Sequence, residues 1–393
     1  MNNIIKPAFF TRIFDAANLQ RWNDQVRPVD LRELDKQAHK MVVAWAIGKF
    51  HENDPEFDWI QIIEGGIFEF LERLFVTDLK PPLFHKIRSN PEAYRSLIDL
   101  SVEGAQEIFS PTWVEKFRNY LLDFEKPASI NRQILNAAHY YTTREEFDII
   151  YRAYPYGYNI ENIKNEIDEQ IKKYGNLTGL AQIVLDKKLQ DFIKLIGQMR
   201  FQIRWSQTHR VPRTSVLGHM LIVAMIGYML SEETGMCRKR KVNNFYTGLF
   251  HDLPEALTRD IINPVKRHIL EIVHSYEHEE MEKVYALIPH AWRKDIEMFT
   301  RNEFSNRIIK NGKIETFDTD IPLEYNKDEF SARDGKLLKG ADRLAAFIEA
   351  DLALKNGINN PHFERAKKGV LRDYQEHGKI NGIDFAKIAR STE

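Results

Sequence analysis

The sequence holds one cysteine, Cys237, so an intrachain disulfide is excluded, and the chain fits a reducing compartment. It has no surplus of either charge. Lys and Arg number 56 and Asp and Glu 57, for a formal net charge of −1, which removes any global pull toward nucleic acid or an anionic membrane. Long apolar runs are missing as well. The longest, Met220–Leu230, falls short of the roughly 20 residues that a bilayer requires and reads as a buried core helix. The stretch Met1–Leu19 lacks the charged n-region and the long apolar h-region of a signal peptide, so a cytoplasmic protein with no membrane partner is expected. Alternating runs of β type are few, which argues against a fold built on sheets.

What is present is helical periodicity. Apolar residues recur at three- and four-residue spacing over Leu31–Phe50, Trp59–Phe75, Pro91–Phe109, Pro111–Phe124 and Leu135–Tyr151. Asn159–Tyr174 reads as an amphipathic helix closed by Gly175-Asn176 and Gly179. The pattern resumes over Leu180–Phe201, Val216–Leu230, Val242–Phe250, Arg267–Leu287 and Asp334–Leu354, and the end of the chain reads as a last helix and a loose tail. The expected fold class is all-α. With 393 residues the chain exceeds one hydrophobic core. The Gly-rich break places a domain boundary near residue 176, giving domains 1–176 and 177–393. One segment departs from helix: Asn311-Gly312 between apolar pairs predicts a small β-hairpin within 306–325. The basic run Arg238-Lys239-Arg240-Lys241 reads as a solvated loop, and nucleic acid is not expected as a partner.

The two halves echo each other in order. Arg21-Trp22 matches Arg204-Trp205, and His39 before an apolar run matches His219. The stretch around Phe68-Glu69 and Glu72 matches His251-Asp252 and Glu255, Asp78 and Pro82 match Asp260 and Pro264, and His139 matches Asp342. This order predicts a tandem duplication.

The chemistry gathers in the second copy. His251 and Asp252 are adjacent at the end of an apolar run, Glu255 follows, and Asp260 follows that. Imidazole and carboxylate side by side suit a hard or borderline divalent ion, and a further carboxylate suits proton transfer. His219 and Asp342 lie on other apolar helices, where a carboxylate is costly unless paired or metal-bound. Read singly, each also fits a satisfied core histidine or a salt-bridged aspartate. Read together, they favour a metal site.

The pattern His…His-Asp…Asp resembles the HD superfamily of metal phosphohydrolases. The longer string resembles the HD-domain 5′-deoxynucleotidases: Arg204-Trp205, then His251 through Lys266, then Lys339-Gly340-Ala341-Asp342. The resemblance covers about residues 185–355. It implies two tandem HD-type helical domains, with His219, His251, Asp252 and Asp342 as ligands of a divalent ion (Mn, Co, Mg, Zn or Fe). It implies Glu255 as the residue that activates or protonates, and Arg204, Trp205 and Asp260 as substrate contacts. The implied activity removes phosphate from (deoxy)nucleoside 5′-monophosphates, so the partner is a small nucleotide. Homo-oligomers or intramolecular HD–HD pairing are the implied assemblies. Leu217-Gly218 replace the Ser-Glu that usually precedes the first His, which leaves substrate choice open. A triphosphohydrolase of the same superfamily is the nearest alternative, with Arg210, Arg213, Lys266 and Arg267 available for further phosphates. A non-enzymatic nucleotide sensor or scaffold is the other. In the first copy Phe68-Glu69 replaces His-Asp, so a non-catalytic role is expected there, although His39, Glu69 and His139 could in principle bind metal.

Overall fold

The computed structural model describes residues 4–77, 79–123, 128–259 and 268–393. It is mostly helical, as expected. The chain divides into two compact units. One spans Asp15–Lys194, and the other comprises Met1–Phe14 and Leu195–Glu393. The division therefore falls between Lys194 and Leu195 rather than near 176, and the first residues belong to the C-terminal unit through α1 (Ala8–Arg12) and the Ile4 amide, which donates to Glu233 at 2.6 Å.

In the N-terminal unit, strands β1 (Gln20–Arg21) and β2 (Leu31–Arg32) pair antiparallel. Helices α2 (Glu33–Gly48), α3 (Trp59–Val76), α4 (Pro81–Arg88), α5 (Pro91–Ile108), α6 (Pro111–Leu122), α7 (Ile130–Ala153), α8 (Ile160–Lys172), α9 (Thr178–Leu185) and α10 (Lys187–Gln198) follow, with α10 crossing into the next unit. Helix starts follow local chemistry. Asp58 accepts from the Ile60 amide, and Asn90 accepts from the Ala93 amide just before Pro91 at the first helical position. The core is α2, buried along its whole length, packed on α7 and α3. Gly179 explains the displaced boundary. It lies within α9, and a Cβ there would stand 2.4 Å from the Ile47 carbonyl oxygen. The glycine serves close packing of α9 on α2, not a break, and so α9 stays with the N-terminal unit.

In the C-terminal unit the buried helix is α11 (Val216–Glu233), capped by Ser215, whose hydroxyl accepts from the Gly218 amide at 2.9 Å. It is long and apolar enough to cross a membrane by length and composition, and 94% of it is buried inside the protein, as a core helix is. Helix α12 (Arg238–Phe250) packs on it. A Cβ at Gly248 would lie 2.7 Å from the Ala224 Cα, so the two backbones meet there. Helices α13 (Glu255–Thr258), α14 (Leu270–Tyr285), α15 (Arg293–Thr300), α16 (Gly335–Lys355), α17 (Pro361–His377) and α18 (Phe385–Ser391) complete the unit.

The expected hairpin is present as β3 (Asn306–Lys310) and β4 (Lys313–Phe317). Asn311 and Gly312 both have positive φ, 52° and 73°, as a two-residue turn of this kind requires. A third strand, β5 (Arg333–Asp334), pairs with β3 and leads into α16.

Two expectations are corrected. The basic run 238–241 is the first turn of α12, because Arg240 is buried in a bidentate pair with Asp334 rather than solvated. The end of the chain is not loose. It forms α17 and α18, and Lys355 and Lys367 hold Thr392 and Glu393.

Candidate metal centre

Three helices of the C-terminal unit bring the predicted ligands together. His219 lies in the first turns of α11, His251 is the C-cap of α12, and Asp342 lies in the first half of α16. One donor atom from each falls within 4.8 Å of the others. His219 Nε2 stands 2.9 Å from Asp342 and 3.9 Å from Asp252. His251 Nε2 is 3.2 Å from the Asp252 carboxylate.

The tautomer of His251 is fixed from behind. Its Nδ1 donates to the Gly248 carbonyl at 2.8 Å, which turns the Nε2 lone pair into the cluster. That Nε2 is buried and makes no hydrogen bond among the described residues. A buried lone pair facing two carboxylates fits a divalent ion, whose charge the site would balance. Without an ion a proton takes that place. Burial lowers the His251 pKa, but Asp252 and Asp342 outweigh it and raise it to about 9. Burial would raise both carboxyls, but their histidines hold Asp252 and Asp342 below the usual carboxylate range.

Glu255 opens α13, with its amide donating to the Asp252 carbonyl at 2.9 Å. Asp260 lies outside the described residues, as do Asp78 and Pro264 of the sequence repeat.

Arg204 and Trp205 converge on a residue that sequence reading missed. Arg204 Nε reaches Glu349 at 3.3 Å, and the Trp205 indole N–H donates to the same oxygen at 2.8 Å. Arg210 and Thr214 hold the other oxygen, and Glu349 is fully buried. Burial would raise its pKa, but Arg210 and Arg204 lower it to about 2. The indole also packs edge-on against Phe363. The signal for Glu349 is its place in α16, seven residues after Asp342, among apolar neighbours. Glu303 was missed too. Burial raises its carboxyl within the field of His251 and Asp252, and the adjacent Phe304 ring stands 5.9 Å from His251. Of the cations considered for further phosphates, Arg210 is buried on Glu349, Arg213 is exposed, and Lys266 and Arg267 lie outside the described residues.

The first-half trio does not assemble. His39 points at the Ile193 carbonyl, 3.1 Å away. Glu69 pairs with Lys40 at 3.0 Å and accepts from Tyr120 at 2.7 Å. His139 meets Lys36 at 2.5 Å. Lys36 follows Trp22 by the same number of residues as His219 follows Trp205.

These features together define an HD domain. Residues 196–370 match the family described as HD domain. Over that part the chain is 5′-deoxynucleotidase-like. It is 23% identical over 194 residues to a 5′-deoxynucleotidase of Pasteurella multocida, covering 46% of this chain and 82% of the relative. It is 24% identical over 204 residues to a 5′-deoxynucleotidase of Vibrio atlanticus, covering 50% and 91%. It is 25% identical over 178 residues to that of Yersinia pestis, covering 44% and 77%. Over this part the chain is thus similar to nucleotide phosphohydrolases that carry an HD domain.

Proposed function

We propose that the C-terminal unit is a divalent-metal-dependent phosphohydrolase that removes phosphate from deoxynucleoside 5′-monophosphates. One observation carries this: His219, His251 and Asp342 converge from three helices, with Asp252 beside them, in the part of the chain similar to 5′-deoxynucleotidases. A bound divalent ion would supply charge neutralisation at the phosphoryl group and activation of water. His219, His251, Asp252 and Asp342 would hold it. Arg204, steadied by Glu349, offers a guanidinium to the phosphate, and Trp205 walls the sugar side. Glu255, placed one turn after Asp252, moves the proton, and Asp260 contacts the sugar. The test is phosphate release from dAMP, dGMP, dCMP, TMP and the matching ribonucleotides with manganese, cobalt or magnesium. No release from any of them sinks the reading, and release of triphosphate from dATP replaces it with the triphosphohydrolase.

We further read the N-terminal unit as a degenerate, non-catalytic copy. Three local correspondences support this. Gln20 pairs with Arg32, the residue before α2, and Ile203 bridges Ser215, the residue before α11. Trp22 and Trp205 both have positive φ, 56° and 59°. Arg21 and Trp22 both donate to Glu146, which follows His139 as Glu349 follows Asp342.

A further inference from the structure

We propose that the centre around Lys36 in the N-terminal unit is a metal-free binding site for a phosphate dianion, free or borne by a nucleotide. The proposal rests on reading this unit as a copy of the C-terminal one. The first argument is charge. In the C-terminal centre Asp252, Asp342 and Glu349 face Arg204 and Arg210, so with His251 neutral one carboxylate is in surplus, and a divalent ion would turn that into one positive charge in surplus. In the N-terminal unit Arg21, Lys36, Lys40 and Arg73 face Glu33, Glu69 and Glu146. With Lys36 protonated, the form a bound anion favours, these cations outnumber the carboxylates by one. The lysines supply what an ion supplies to the other copy.

The second argument is the fate of the ion's ligands. Lys36 replaces His219 and bonds His139, which replaces Asp342. Lys40, one turn further along α2, binds Glu69, which replaces Asp252. Phe68 replaces His251 and packs among Trp113, Phe117 and Tyr120. Every donor a divalent ion needs is either removed or tied to an amine. The Arg-Trp pair, by contrast, is kept with its carboxylate.

The third argument is that Glu33 and Glu146 do not offset burial and the neighbouring cations at Lys36. Burial, and then Arg21, push Lys36 well below its ordinary value. Burial and the four cations push His139 below its own. An anion among them favours the charged form of both. The cluster also reaches the surface. Lys36 and Lys40 are buried, but His139 is half-buried and the side chains of Arg21 and Arg73 keep 12% and 25% of their exposure.

The experiment is calorimetric titration of the full chain carrying Asp252→Asn, with EDTA present throughout, by inorganic phosphate and separately by dAMP. One site per chain is expected. Tighter binding of dAMP identifies a nucleotide as the source, and equal binding identifies the phosphate alone. Adding Lys36→Gln is expected to weaken binding by about tenfold or more, and Lys36→Arg to restore most of it, since the lost contact is charge-assisted. Should Lys36→Gln fail to fold, Arg73→Gln at the rim is expected to weaken binding by about fivefold on the same ground. No binding of either probe at millimolar concentration overturns the proposal, as does binding unchanged by Lys36→Gln or, where that variant fails to fold, by Arg73→Gln. Because no metal is present, failure here leaves the hydrolysis assay untouched, and an inactive enzyme leaves this titration untouched.

Discussion

Trp205 donates its indole N–H to Glu349 at 2.8 Å from a backbone held at positive φ. A tryptophan has no intrinsic preference for that conformation, so the bond and the packing on Phe363 hold it there. Glu349 thereby fixes both members of the Arg-Trp pair. Glu349→Gln keeps the shape and removes the charge, leaving Arg210 buried without its carboxylate. The expected cost is about 3 kcal/mol or more of stability, by analogy with broken buried pairs. The expected kinetic effect is a KM for the nucleotide raised about tenfold or more, because Arg204 loses its anchor. Thermal unfolding together with steady-state kinetics checks both.

The proposed metal ligands make a sharper test. His251→Ala and Asp252→Asn each remove a donor from the cluster. Elemental analysis of the purified chain is expected to fall from one divalent ion to a small fraction of one. Hydrolysis is expected to drop by about a thousandfold, since metal charge neutralisation is worth several kcal/mol. Full metal content in both variants would place the ion elsewhere.

The pH dependence of the metal-free chain has a definite sign. His251 is raised from 6.5 to about 9 in the folded state. Its contribution to stability is fully present below pH 6.5 and is lost as pH rises through about 9. That contribution is on the order of 3 kcal/mol at most. Denaturant unfolding in EDTA is therefore expected to show falling stability between pH 7 and 9.5. Over the same range divalent-ion affinity rises, because the ion must displace the proton. Equal stability across that window would count against the buried His251–Asp252 pair.

Gly248 tests the packing that seats the centre. Gly248→Ala forces a methyl toward the Ala224 backbone, so α12 must shift against α11. Overpacking of this kind costs about 1–3 kcal/mol. The Nδ1 anchor of His251 is the carbonyl of this same residue, so the shift also misplaces a ligand. The expected result is a lower melting temperature together with weaker metal binding.

Much of the C-terminal centre was legible in the sequence because its chemistry is written in short strings. His251-Asp252 ends an apolar helix, and Asp342 interrupts another, and polar groups in such places need a partner. Helix starts were legible where a proline opens the apolar pattern, as at Pro91 and Pro111. Glu349 was not, since a carboxylate in a helix announces neither its burial nor its partners. Arg240 shows the converse: four basic residues in a row look solvated until Asp334, far along the chain, claims one of them. Gly179 failed as a boundary marker because glycine serves a break and a close approach equally, and only the position of Ile47 tells which. His39 was matched to His219 by residue type. Counting from Trp22 and Trp205 instead pairs Lys36 with His219 under the proposed duplication, and a match by residue type does not find that pair.

The amine of Lys36 differs from a metal ion in one respect that matters in the cell. It is made with the chain and cannot be chelated, exchanged or outcompeted by another ion. On the two proposed readings, a fall in the supply of the divalent ion would empty the C-terminal centre while leaving the N-terminal one electrically unchanged, so only one of the two would follow the supply of metal.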